Sequence, residues 1–160
     1  MANIRIGFGY DVHKLQDGLP MTIGGVSVPY DRGWVAHSDG DVLIHAVCDA
    51  ILGAANMRDI GFHFPDTSSE YEGIDSKRLL AQVIDIIATK GYRVSNVDCT
   101  IALQRPKLMP LIPLMAQTMA QVMGVDSDCV SVKATTTEKL GFEGREEGAS
   151  AYAVALIEKD

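Results

Sequence analysis

The sequence predicts an α+β fold, a mixed β-sheet with helices packed on one face. Three observations carry this reading. The chain opens on a period-two alternation of apolar residues, it holds three stretches of helical length bounded by cap residues, and strand and helix signals interleave to its end.

The elements follow in order. Ile4, Ile6, Phe8, Tyr10 and Val12 alternate with Arg5, Gly7, Gly9, Asp11 and His13, the pattern of a strand. Met21–Ile23 and Val26–Pro29 flank Gly24 and Gly25, a hairpin signal. Asp41 to about Ala54 is predicted as a helix, with Asp39 or Gly40 as its cap. Asn56 to Gly73 is loop-rich. Asp75 and Ser76 open a second helix that runs to about Lys90 and closes on Gly91. Tyr92–Leu103 is strand-like, Pro110–Met123 is a third helix closed by Gly124, and Val130–Ala134 and Ala149–Ile157 are the last strands. No linker, repeat or low-complexity tract interrupts the chain, so residues 1–160 are expected to form a single domain.

Bulk composition narrows the function classes. A chain of 160 residues buries roughly 70% of its unfolded surface, enough for a core without disulfides. A net charge of −7 argues against a general nucleic-acid binder, yet leaves room for a local phosphate pocket. Cys48, Cys99 and Cys129 are odd in number and widely spaced, which suits buried free thiols in a reducing compartment. No run approaches the roughly 18 apolar residues of a membrane span. Met1–Arg5 lacks a signal-peptide h-region, so a cytoplasmic location is expected.

The chemistry concentrates at a few places. Side chains alternate along a strand, so Asp11 and His13 share a face, together with Gly7 and Gly9, where something can approach the backbone closely. The helix from Asp41 is apolar nearly all round, which marks it as buried, yet Asp41, His45 and Asp49 form one polar stripe at four-residue spacing. Buried carboxylates are costly unless paired or bound to a cation. A metal on His45, with a nearby Asp orienting its ring, satisfies the stripe; a stripe facing solvent is the plainer alternative. One Asp and two His are three ligands that zinc accepts, with a fourth position open for water or substrate, and manganese or cobalt would also fit.

Other segments offer phosphate contacts. His37-Ser38-Asp39-Gly40-Asp41 precedes a helix N-terminus, a natural phosphate site, although capping alone also explains Ser38 and Asp39. Lys133 to Phe142 carries Thr135, Thr136, Thr137 and Glu138, hydroxyls for phosphate oxygens and a ligand for a harder cation such as magnesium, or an ordinary strand end. Arg105-Pro106-Lys107-Leu108-Met109-Pro110 is a stiff loop that can present main-chain groups to a nucleobase or serve as a connector. Asp59 to Thr67 is a long loop of the kind that carries function, with His63 expected at the surface. These residues point to a metal-dependent enzyme acting on a phosphorylated substrate. A phosphohydrolase that activates water and a non-catalytic binding module for nucleotides or other diphosphates are the alternatives.

Gly9-Tyr10-Asp11-Val12-His13, Ala36 to Asp41, Asp59-Ile60-Gly61 with Phe64-Pro65-Asp66-Thr67, Pro106-Lys107, and Lys133 through Glu138 to Gly141-Phe142 with Gly144-Arg145 occur together in one order. In this the chain resembles the 2-C-methyl-D-erythritol 2,4-cyclodiphosphate synthase family of the non-mevalonate isoprenoid pathway, over nearly its whole length. The resemblance implies a homotrimer with active sites between subunits. It implies cyclisation of 4-diphosphocytidyl-2-C-methyl-D-erythritol 2-phosphate with release of CMP. By the same resemblance Asp11, His13 and His45 are zinc ligands, and Glu138 holds a magnesium or manganese ion that bridges the substrate diphosphate. His37 and Thr136 are the transition-state stabilisers. Ser38, Asp59, Gly61 and the loop Phe64, Pro65, Asp66, Thr67 and Ser68 hold the methylerythritol phosphate, and Val12, Ile60 and Thr137 are further substrate-binding positions. Leu103, Gln104, Arg105, Pro106, Lys107, Leu108 and Met109, with Ala134, Thr135 and Thr136, form the cytidine pocket of a neighbouring subunit. Phe142 and Arg145 match substrate-contacting positions, and Arg145 lies near a trimer-axis cavity that can hold an isoprenoid diphosphate. Leu103, Arg105 and the segment Ala149–Tyr152 depart from the family's usual residues.

Overall fold

In the computed structural model, which describes residues 3–159, a five-stranded sheet has the order β4-β1-β7-β5-β6. Its strands are β1 (Asn3–Asp17), β4 (Arg32–Val35), β5 (Arg93–Ala102), β6 (Val130–Thr135) and β7 (Gly148–Lys159). Strands β5 and β6 run parallel and the other neighbours antiparallel, so the sheet is mixed as predicted. The short strands β2 (Thr22–Ile23) and β3 (Val26–Ser27) form the hairpin around Gly24 and Gly25.

Three helices cover one face: α1 (Val42–Ala54), α3 (Ser76–Ala88) and α4 (Ile112–Met123). Helix α1 lies directly on β1 and β7, and side-chain size explains how. A Cβ built on Gly7 or Gly9 would collide with the carbonyl oxygens of Ala50 and Ala46. On the neighbouring strand Ala149, Ala151, Ala153 and Ala155 are buried against the same helix layer. The approach predicted at the two glycines is therefore made by α1 itself. Leu43, Ile44, Val47 and Ile51 of α1 then pack in one core with Leu80, Val83 and Ile87 of α3 and Met115 and Met119 of α4.

The opposite face of the sheet is uncovered in the single chain. Ile6 is 71% exposed and Phe8 63%, and Tyr10, Val12, Tyr152 and Val154 extend the patch. Ile6, Phe8, Tyr10 and Val12 are apolar members of the alternation that identified β1, and Tyr152 and Val154 come from β7.

Several boundaries differ from expectation. Asp41, not Asp39 or Gly40, caps α1: it accepts the Ile44 N–H. Its second role, accepting N–H groups of Gly24 at 2.9 Å and Gly25 at 2.6 Å, ties the hairpin to the helix. The stretch 56–73 contains a helical turn, α2 (Ile60–His63), and a 3₁₀ turn (Ser69–Tyr71). A second 3₁₀ turn (Met109–Leu111) precedes α4, a third (Ser127–Cys129) precedes β6, and a last turn, α5 (Gly141–Gly144), precedes β7. Strand β4 had no periodicity to reveal it, being four residues long with Gly33 inside. Cys48 and Cys99 are buried free thiols as expected, and Cys129 is half-buried. Among the described residues no helix is long and apolar enough to cross a membrane.

Candidate metal centre and phosphate pocket

Odd-numbered positions of β1 face α1, which brings Asp11 and His13 under His45, one turn into that helix. Asp11 Oδ2 lies 3.1 Å from His45 Nδ1 and 3.2 Å from His13 Nε2, and the two ring nitrogens are 3.1 Å apart. If both imidazoles donate an N–H to Asp11 Oδ2, their two nitrogens face each other at 3.1 Å with both protons turned away from that contact. One cation in their centre satisfies all three. Their spacing is close to the edge of about 3.3 Å that a tetrahedral zinc site with bonds near 2.05 Å would have. This is the one cluster of three metal-ligand side chains among the described residues. The oxygen and two imidazole nitrogens suit a borderline cation such as zinc.

The electrostatics agree. Burial pushes the His13 pKa down, partly offset by Asp11, which favours the neutral ring that a metal needs. Burial would lower His45 too, but the hydrogen bond and charge of Asp11, with the charges of Asp41 and Asp39, outweigh it and hold its pKa above the ordinary imidazole value. Asp11 thus draws positive charge to this point, as a proton or as a metal ion.

The polar stripe of α1 is only partly a metal feature. Asp41 is the cap, and Asp49 accepts the Ile60 N–H at 2.8 Å, so neither carboxylate orients His45. The group against His45 Nε2 is the hydroxyl of Ser76 at 2.9 Å, with Ser38 Oγ at 3.3 Å. Sequence reasoning used Ser76 only as a helix start. Its complete burial was the missed property, and no local signal reports it.

A pocket of about 350 Å³ opens beside His13 and His45, lined by Ala36, His37, Ser38, Ile60, Gly61, Phe64 and Asp66, with Tyr71, Ile74 and Leu79 as further apolar wall. Of the substrate-binding residues expected in this region, Ser38, Ile60, Gly61, Phe64 and Asp66 line this pocket, whereas Asp59, Pro65, Thr67 and Ser68 are not among its lining residues. His37 is exposed, its Nε2 3.2 Å from Ser68 O. Asp59 caps α2 by accepting the Phe62 N–H at 2.9 Å. His63 is half-buried rather than at the surface, with Nε2 2.7 Å from Met57 O.

A second pocket, of about 260 Å³, is lined by Leu103, Gln104, Pro106, Lys107, Leu108, Met109, Ala134, Thr135 and Thr136. Arg105 points instead to Glu146, with its Nε 2.8 Å from Oε1. Glu138 sits in an exposed turn, 3.3 Å from the Thr136 hydroxyl. Phe142 lines a third hollow with Val12 and His13, and Arg145 pairs with Glu147 at 2.9 Å.

The sheet register measures the gap between the first two pockets. Asp11 pairs with Ala151, Ala151 with Ile101, and Ile101 with Ala134, one row across four strands. Three strand spacings place Asp11 and Ala134 roughly 14 Å apart. Within one chain the triad and the pocket lined by Thr136 therefore lie at separate places on the sheet.

The comparisons with known proteins are consistent over the full length. The family model of the YgbB family matches residues 4–158. The 2-C-methyl-D-erythritol 2,4-cyclodiphosphate synthase of Bacteroides thetaiotaomicron is 63% identical over 157 residues, 98% of this chain and 99% of that protein. Among solved structures, the bifunctional IspDF from Campylobacter jejuni aligns with a TM-score of 0.96 at 39% identity, covering 100% of this chain and 43% of that longer one. The Plasmodium falciparum IspF CDP complex aligns at 0.86 and 33% identity, covering 98% of this chain and 97% of the other.

Proposed function

The chain belongs to the YgbB family, and from that premise we propose that it converts 4-diphosphocytidyl-2-C-methyl-D-erythritol 2-phosphate to 2-C-methyl-D-erythritol 2,4-cyclodiphosphate and CMP, as a cyclising lyase. The observation that carries the site assignment is the triangle of Asp11, His13 and His45 at the mouth of the pocket holding His37 and Ser38.

The reaction is an intramolecular phosphoryl transfer. An oxygen of the 2-phosphate forms a bond to the β-phosphorus, the bond from that phosphorus to the CMP oxygen breaks, and CMP leaves with the electron pair. A phosphate monoester is largely ionised near neutral pH, so no enzyme nucleophile is required, and catalysis is placement plus charge stabilisation. Asp11, His13 and His45 would hold a divalent cation, for which zinc is the best fit, and when bound it would supply positive charge to the phosphoryl group under attack. His37 and Thr136 donate hydrogen bonds to oxygens that gain charge in transit. Glu138 has the chemistry for magnesium or manganese on the diphosphate. The pocket lined by Ile60, Gly61, Phe64 and Asp66 holds the methylerythritol phosphate, and the pocket of Leu103–Met109 holds the cytosine.

Two features favour a homotrimer with shared sites. The triad and Thr136 must act on one diphosphate, which is far shorter than the roughly 14 Å between their strands, so a second copy has to supply the missing half. The exposed apolar face with Ile6 and Phe8 is a surface such copies would cover. An isoprenoid diphosphate near Arg145 at the trimer axis and a cytoplasmic location belong to the same reading. Incubation with the cytidine diphosphate substrate, with and without chelator, followed by phosphorus NMR, tests it. A cyclic diphosphate plus CMP, lost on chelation, is expected; open-chain phosphates would identify a phosphohydrolase, and no turnover a binding module.

A further inference from the structure

We propose that Asp39 and Ser76 are positioning residues that fix His45 as its Nε2–H tautomer and so aim its Nδ1 lone pair at the cation. The inference rests on the reading that Asp11, His13 and His45 bind a metal.

Ser76 is 0% exposed at the start of α3, yet it is not that helix's cap: Asp75 fills the role by accepting the Lys77 N–H. The buried hydroxyl is left for another purpose. It lies 2.9 Å from His45 Nε2 and 2.5 Å from Asp39 Oδ1. Asp39 is itself held from several directions. Its Oδ2 accepts the Ser76 N–H at 2.9 Å, and its Oδ1 accepts the Asp41 N–H at 3.1 Å. A carboxylate oxygen accepts, so the Ser76 hydroxyl donates to it. The serine oxygen then accepts from His45 Nε2–H, and the proton on Nε2 leaves Nδ1 with its lone pair toward Asp11 and His13. The order is carboxylate, hydroxyl, imidazole, metal position.

The same groups anchor the pocket wall. The Asp39 N–H donates to Ile74 O at 3.1 Å, and the Gly73 N–H donates to His37 O at 2.8 Å. The segment carrying His37 and Ser38 is thus joined to the segment carrying Tyr71 and Ile74, at the point where Ser76 meets the imidazole. Without the hydroxyl, the ring can take the other tautomer, with Nδ1–H donated to Asp11, and that tautomer cannot bind a metal through Nδ1.

The test compares the full chain with Ser76→Ala by cobalt(II) titration and by the exchange of the His45 Nε2–H proton in nitrogen-15 NMR. Loss of an outer partner of a metal-bound histidine typically costs 10–100-fold in affinity. The variant is expected to bind cobalt(II) weaker by that factor while its metal-free form stays folded by circular dichroism, and to lose a slowly exchanging Nε2–H signal that the unmodified chain shows. Asp39→Asn, read the same way, serves if Ser76→Ala does not fold. Equal cobalt affinity, or an His45 Nε2 carrying no proton in the cobalt-free or zinc-loaded chain, overturns the proposal. If the unmodified chain takes up no metal, the metal reading fails, and the exchange measurement on the metal-free protein still decides the relay.

Discussion

Asp11 Oδ2 lies 3.1 Å from Nδ1 of His45, a contact between a strand and a helix 34 positions apart in the chain. It exists because Gly7 and Gly9 let α1 sit on the backbone of β1. The candidate metal centre is therefore a consequence of how closely one helix approaches one strand.

Replacing Gly9 with alanine places a methyl group against the carbonyl oxygen of Ala46. Backbone cannot yield as a side chain does, so the cost should reach the upper end of overpacking, roughly 3 kcal/mol. Denaturant unfolding reads this directly, and a variant as stable as the parent would show that the helix can shift freely.

His45→Ala removes one ligand and one wall of the phosphate pocket. Turnover should be abolished while the proposed trimer stays mostly intact, as read by size and light scattering. Full activity in metal-stripped variant protein would contradict the role given to the triad.

Shared sites have a specific signature. His45→Ala and Thr136→Ala trimers should each be inactive, but their mixed trimers should recover activity. Random mixing leaves about one interface in four with both halves unmodified. No recovery in mixed trimers of confirmed composition would place both residues in a site within one chain.

Burial of Asp41 pushes its carboxyl pKa up to about 6, against the opposing N–H bonds of Ile44, Gly25 and Gly24. The sign follows from linkage: between pH 4 and 6 the folded chain holds a proton that the unfolded chain has released. The stability this group contributes is present below its ordinary pKa and is lost as pH rises through 6. Asp41→Asn should therefore gain stability relative to the parent across that range. Parallel pH profiles of unfolding for the two proteins would refute it.

What could be read from the sequence was what periodicity carries. Asp11 and His13 were legible because a strand alternates, and His45 because it is a ring in an otherwise apolar helix. Ser76 was not legible, since a serine at a helix start gives the same signal whether it caps or reaches a histidine. Asp49 was legible as unusual but not as the acceptor of Ile60 N–H, a contact set by the packing of α2. The outward turn of Ile6 and Phe8 was hidden for a related reason: alternation shows that a strand has two faces, and only the neighbouring glycines indicate which face the helix takes.

The most direct measurement is anomalous diffraction at the zinc edge on crystals of the purified protein. The account predicts one peak per chain, bonded to Asp11 Oδ2, His13 Nε2 and His45 Nδ1. Zinc-supplemented crystals with no peak there, or with His45 bound through Nε2, would contradict it.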